Sequence, residues 1–245
     1  MFAQLIQPHV FSDAVKRFWR SRDTQSQSQQ QRGISDHGTR GAVTGGKQMD
    51  GFAETIGRLI VDIGVKPEDI YLASKRNLPG FFRPNKQWDL VVVSDGKLIA
   101  ALELKSQVGP SFGNNFNNRT EEAMGTALDT WTAFREGVLG TSQQPWLGYL
   151  FLLEDCSRSR SPVKVNEPHF PVMTEFRGAS YTKRYEVFCR KLVLERQYSA
   201  ACFLTARRDK ALLKQNYAEP ATDLSARAFL SQLLKHVAPG PALSS

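Results

Sequence analysis

The sequence predicts an α/β fold, a mixed β-sheet flanked by helices, with its core elements in the order αβββαβ. Three observations carry that expectation. Residues 88–105, WDLVVVSDGKLIAALELK, read as two apolar strands joined by a tight turn. A stretch of helical periodicity over residues 120–136 separates the second of those strands from another apolar run at 146–153, a gap long enough for a right-handed parallel crossover. An amphipathic segment with apolar positions at helical spacing precedes the hairpin. Alternation of this kind is satisfied by a sheet with helices packed on its faces.

Taken in chain order, residues 12–22 predict a first amphipathic helix with Val15, Phe18 and Trp19 on one face. Residues 23–49 form a Gln/Ser/Gly-rich linker or arm, which divides the chain into an N-terminal helix at 1–22, this linker, and a main domain at 50–245. Gly41-Ala-Val-Thr-Gly-Gly46-Lys47 comes close to a phosphate-cradling loop. Gln48 stands where such a loop needs Ser or Thr for Mg2+, and no apolar strand precedes it, so no nucleotide cofactor is expected. Asp50 reads as the N-cap of a helix running to residue 63, with Phe52, Ile56, Leu59 and Ile60 as its apolar stripe. A short strand at 70–73 follows. Next come strands at 90–93 and 98–104, closed by Ser94-Asp95-Gly96-Lys97, whose Asp-Gly pair marks a two-residue hairpin turn. After the crossover helix and the 146–153 strand, helices at 181–197 and 223–237 flank a further apolar strand at 201–205.

Composition narrows the function classes. With 245 residues and 41% hydrophobic content, the chain can bury one sizeable core. No apolar run approaches the ~20 residues that span a bilayer. The opening MFAQLIQPHVFSD lacks the basic, apolar and small-residue series of a signal peptide, so a cytoplasmic protein without a membrane partner is expected. Cys156, Cys189 and Cys202 are widely spaced, and His9, His37, His169 and His236 show no ligand spacing. Neither a disulfide framework nor a histidine-based metal site is suggested.

Charge points the other way, toward a polyanion. The formal net charge is +8, and residues 156–214 hold thirteen Lys/Arg against five Asp/Glu, so the excess sits in the C-terminal third. A face built from such residues as Lys183, Arg184, Arg207 and Arg208 suits nucleic-acid phosphates; a merely basic, soluble surface is the alternative.

The hairpin supplies the chemistry. Side chains alternate along a strand, so Glu103 and Lys105 project from one face about 7 Å apart while Leu104 points to the other. Asp89, at the start of the first strand, falls beside the end of the second once the hairpin closes. Two carboxylates and one amine suit phosphodiester hydrolysis: the acids hold Mg2+, which prefers oxygen ligands. Lys105 orients a water and offsets charge developing on the phosphate. Glu54 on the preceding helix can add a carboxylate or be simply solvated. In the loop read at 106–119, Asn114, Asn115, Asn117, Asn118 and Arg119 cluster. Asn and Arg pair with adenine and guanine edges. Asn is also an ordinary turn residue, and Asn118 with Glu121 can cap the next helix. Both readings stay open.

The αβββαβ order with Asp89 and Glu103-Leu-Lys105 resembles the PD-(D/E)xK nuclease superfamily. The segments RGAVTGGKQMDGFAETI, RPNKQWDLVVV, ALELKSQVGPSFGNNFNNRTEEA and AACFLTAR are similar to the XhoI family of type II restriction endonucleases over nearly the whole chain. The resemblance implies a restriction-endonuclease-like core and a homodimer of a restriction-modification system. It implies Mg2+-dependent cutting of double-stranded DNA at CTCGAG, after the first C, with 5′ overhangs. On the family pattern Asp89 and Glu103 would be metal ligands and Lys105 the catalytic lysine. One departure is visible: Trp88 stands where a proline adjoins the first acid, and Pro84 lies further back. A structure-selective repair nuclease and a non-catalytic DNA-binding module remain as alternatives.

Overall fold

The computed structural model describes residues 2–31, 48–140 and 143–239. Gly41 to Lys47, and most of the expected linker, lie outside the described residues.

Helix α1, Ser12–Gln31, runs past its expected end at Arg22. Phe11, Val15, Phe18 and Trp19 are buried against α2, Asp50–Asp62, whose Phe52, Ile56, Leu59 and Ile60 are buried in turn. Asp50 lies inside the helix rather than capping it; Met49 holds the cap position without a side-chain bond. An acid in the first turn still meets the positive end of the helix dipole.

The main sheet has five strands. Strand β1 is only Ile70–Tyr71, shorter than expected, and pairs antiparallel with β4, Leu90–Ser94. Asp95 and Gly96 both adopt positive φ, 50° and 72°, the turn whose twist matches a two-residue hairpin. Strand β5, Lys97–Gln107, continues well past residue 104. Its crossover through α3, Phe112–Arg135, returns to β6, Trp146–Glu154, which lies parallel to it, and β7, Ala200–Ala206, is parallel to β6. The order across the sheet is β1-β4-β5-β6-β7. Two strands escaped the sequence reading. Strands β2, Asn77–Pro79, and β3, Asn85–Gln87, form a separate antiparallel ribbon just before Asp89.

Each sheet face carries a core. Leu90, Val92, Leu102, Leu104, Leu150 and Leu204 pack under α1, α2 and α5, Ala226–Val237. Val91, Ala101, Tyr149, Phe151 and Phe203 pack under α3 and α4, Tyr181–Leu194. Helices α4 and α5 start from Ser180 and Ser225, whose hydroxyls accept the backbone N–H of Lys183 and Ala228. The five-stranded mixed sheet between helical layers is consistent with a restriction-endonuclease-like fold.

Candidate active site

Local register brings the two acids together. Leu90, Val91 and Val92 face Leu102, Ala101 and Ala100, whereas Val93 faces Leu98, so β5 accommodates an extra residue, Ile99, in a bulge. Without the bulge the register would slip by one and every side chain beyond it would change face. With it, Asp89 lies opposite Glu103. Asp89 N–H donates to the Leu102 carbonyl at 3.1 Å, and Asp89 Oδ2 accepts the Leu104 N–H at 2.7 Å. Trp88, in the place of a proline, is fully buried in the α3-side core and donates its N–H to the Arg76 carbonyl at 3.0 Å. The backbone entering Asp89 is therefore held on both sides.

Glu103 is 3% exposed. Lys105 Nζ pairs with its Oε1, and Lys86 Nζ lies 2.6 Å from its Oε2. Burial pushes the Glu103 carboxyl up, but the two ammonium groups outweigh it and hold the pKa below the usual range. Burial has the opposite outcome at Asp89: with Glu103 as a neighbouring anion, its pKa is pushed up to about 6. Burial also disfavours the Lys105 cation, yet Glu103 and Asp89 together raise its pKa. The pocket thus contains one firmly ionised acid, one acid near its titration point and a firmly charged amine. Lys86 was missed by sequence reasoning. Its alternation signal is only three residues of β3, and the ring of Trp88 lies 5.3 Å beneath its ammonium.

The donor set fits Mg2+. The Glu103 carboxylate is buried and ionised, held between Lys86 and Lys105, and the Asp89 carboxylate, bonded to the Leu104 N–H, stands beside it. Mg2+ typically takes one or two carboxylates and fills its octahedron with water and phosphate oxygens. Among the described residues no group of three or more His, Cys, Asp or Glu side chains gathers as a metal site.

Other expected residues are placed elsewhere. Glu54 packs in the α1/α2 layer, where Arg17 embraces its carboxylate with one bond at 2.9 Å and a second, shorter one, so it is not gathered with the trio. Asn114, Asn115, Asn117, Asn118 and Arg119 lie on α3, which starts at Phe112, so the expected loop is helix and Asn118 does not cap it. The cause is packing: Phe112 stacks on Tyr181, and Phe116 meets Tyr185 and Phe188 edge-on. Asn114, Asn117 and Asn118 are exposed. Arg119, paired with Glu122, is near enough for its charge to be felt at Lys105.

The expected basic face is more internally paired than its composition suggests. Lys183 pairs with Glu186 at 2.7 Å, Arg207 grips Asp209 with both nitrogens, and Arg208 pairs with Asp23. Arg184 ties the Val163 and Ala179 carbonyls. Among the described residues, Arg158, Lys164, Lys210 and Lys214 form no ion pair and stay accessible. Because β5, β6 and β7 are parallel, the segments after Glu154 and Ala206 emerge at the same sheet end as Lys105 and Gln107. Arg158, Arg207 and Lys210 therefore share that end with the acidic pocket.

Residues 28–219 match the family model described as restriction endonuclease XhoI. The type II restriction enzyme BstVI of Geobacillus stearothermophilus is 54% identical over 215 residues, covering 86% of this chain and 96% of the relative. The type II restriction enzyme XhoI of Xanthomonas vasicola is 49% identical over 183 residues, covering 74% and 73%. AbrI of Azospirillum brasilense, also a type II restriction enzyme, is 49% identical over 161 residues, covering 64% and 71%. No solved structure matches. The chain belongs to the XhoI family of type II restriction endonucleases.

Proposed function

We propose that this endonuclease cuts double-stranded DNA at the palindrome CTCGAG, after the first C of each strand, as a Mg2+-dependent homodimer in the cytoplasm. The family makes the chain an endodeoxyribonuclease; the hexamer and the cut position follow from the resemblance to the XhoI family. The observation that carries the chemistry is the juxtaposition of Asp89 with Glu103 and Lys105 through the Leu104 N–H. Asp89 and Glu103 would hold the cation, which when bound supplies a polarised phosphate and an acidified water. Lys105, kept charged by both acids, positions that water and offsets charge on the phosphate oxygens. The buried floor of the pocket excludes bulk water and strengthens each of these interactions. A two-fold target suits a two-fold dimer, with one pocket per strand.

Digestion of long duplex DNA of known sequence, with Mg2+ or with a chelator, and mapping of the fragment ends tests the proposal. Discrete ends at CTCGAG only with metal are expected. Ends scattered along the DNA, or cuts confined to junctions, would favour a repair nuclease. DNA shifted on a gel but left intact would favour a binding module.

A further inference from the structure

The ribbon formed by β2 and β3 projects two aromatic rings into solvent beside the pocket. Phe81 is 49% exposed and Phe82 67%, and the rings meet edge-to-face with centroids 4.9 Å apart. Two exposed rings in contact make a contiguous apolar patch, the kind of feature that marks an interaction surface. The rings are also held rigidly. Asp129 of α3, itself buried, accepts the backbone N–H groups of Phe81 and Phe82 at 2.8 Å each and Arg83 Nε at 2.7 Å. Gly80 makes this possible, because a Cβ there would lie 2.5 Å from Asp129 Oδ2 and 2.9 Å from the Arg83 carbonyl.

Charge indicates the partner. The segment 75–87 carries Lys75, Arg76, Arg83 and Lys86 and not one Asp or Glu; Arg83 and Lys86 are matched by Asp129 and Glu103, while Lys75 and Arg76 stand outside any ion pair among the described residues. A second copy of the chain meeting this tip across a two-fold axis would set the same cations face to face. DNA phosphates complement them. Position agrees as well. Lys86, at the other end of the segment, pairs with Glu103, and four residues of extended chain reach at most about 14 Å. A six-base-pair site spans about 20 Å, so the tip stands within one target length of the pocket.

We propose that Phe81 and Phe82 form an aromatic wedge that inserts at a base step of the bound duplex, with Lys75 beside a flanking phosphate. Apolar wedges of this kind unstack a step and kink the duplex. The proposal rests on the reading of Asp89, Glu103 and Lys105 as the cutting centre, since that pocket fixes where the DNA lies.

The test uses the full chain with Ca2+ in place of Mg2+ and duplexes carrying the sequence that the enzyme cuts. 2-Aminopurine is placed in turn at the adenine of the site and at flanking positions. Wild-type protein should raise the fluorescence several-fold at one step. The double variant Phe81→Ala/Phe82→Ala should lose that rise and bind about tenfold more weakly, as expected for losing a base–aromatic stack. Its melting temperature should be unchanged because both rings are exposed, and Phe81→Trp/Phe82→Trp should restore the signal. Binding and cutting without a rise at any position would overturn the wedge alone. So would a rise that persists in the double-alanine variant, or an altered oligomeric state in that variant with the rise intact. Wild-type protein that binds no duplex would overturn both the wedge and the DNA-cutting pocket beneath it.

Discussion

A carboxylate as buried as Glu103 is costly unless its charge is answered, and here two ammonium groups answer it. Asp89 receives less help: one backbone N–H and the distant lysines do not offset burial beside another anion. Its pKa lies near 6 in the folded chain against 3.8 for an ordinary Asp, so its contribution to stability is present below pH 3.8 and lost as pH rises through about 6. Asp89→Asn keeps an acceptor for Leu104 and removes the titration. In chelator, that variant should melt higher than wild type at pH 8, with the difference vanishing by pH 4. A variant that melts no higher at pH 8 would show that Asp89 is not strained by ionisation. Strand alternation and the Asp-Gly turn were enough to bring Asp89, Glu103 and Lys105 to one end of the hairpin, but not to set Asp89 against Glu103, which needs the bulge. Lys86 and the Ile99 bulge were not legible, because neither three polar residues of β3 nor a one-residue slip leaves a periodic trace.

Among the elements, the β2–β3 ribbon is tied to α3 chiefly through Asp129. Asp129 is buried, and burial would raise its pKa, but the Phe82 N–H, Arg83 and the Phe81 N–H together lower it. Its anchoring is therefore complete above the usual carboxylate range and lost as pH falls through the lowered value. Asp129→Ala leaves two backbone donors and Arg83 without their acceptor. A loss of about 2–4 kcal/mol in denaturant melts at pH 7 is expected, shrinking as pH falls below about 4. An unchanged midpoint would mean that the ribbon holds without this anchor. The start of α3 shows the converse limit of sequence reasoning. Four Asn and neighbouring Gly favour turns, but Phe112 and Phe116, one helical turn apart, bury against α4 and hold the segment helical. Helices α2, α4 and α5 were readable because their apolar residues repeat at helical spacing, and the central strands because they are short, continuous apolar runs, as strands covered on both faces must be.

For the whole molecule, topology matters more than the net charge of +8. Parallel β5, β6 and β7 deliver the pocket and several cations to one sheet end, while internal pairing neutralises Lys183, Arg207 and Arg208. Composition showed the excess of charge but could not show which cations already have partners. Arg158 and Lys210, exposed and outside any ion pair among the described residues, are the better candidates for binding phosphate. The double variant Arg158→Ala/Lys210→Ala should bind DNA more weakly and flatten the log–log salt dependence by roughly 2, near 0.9 for each phosphate no longer neutralised. An unchanged slope would place the DNA on another face.

The most direct measurement is single-turnover cleavage by Glu103→Gln with Mg2+, read beside its affinity for the same duplex. Gln preserves the shape of the side chain but removes the charge that Lys86, Lys105 and a cation share. Cleavage should fall by about a thousandfold or more while the variant stays folded and still binds the duplex, at a lower melting temperature because Lys86 and Lys105 lose their counter-charge. Cleavage at the wild-type rate would contradict the account, because hydrolysis would then proceed without the carboxylate around which the pocket is built.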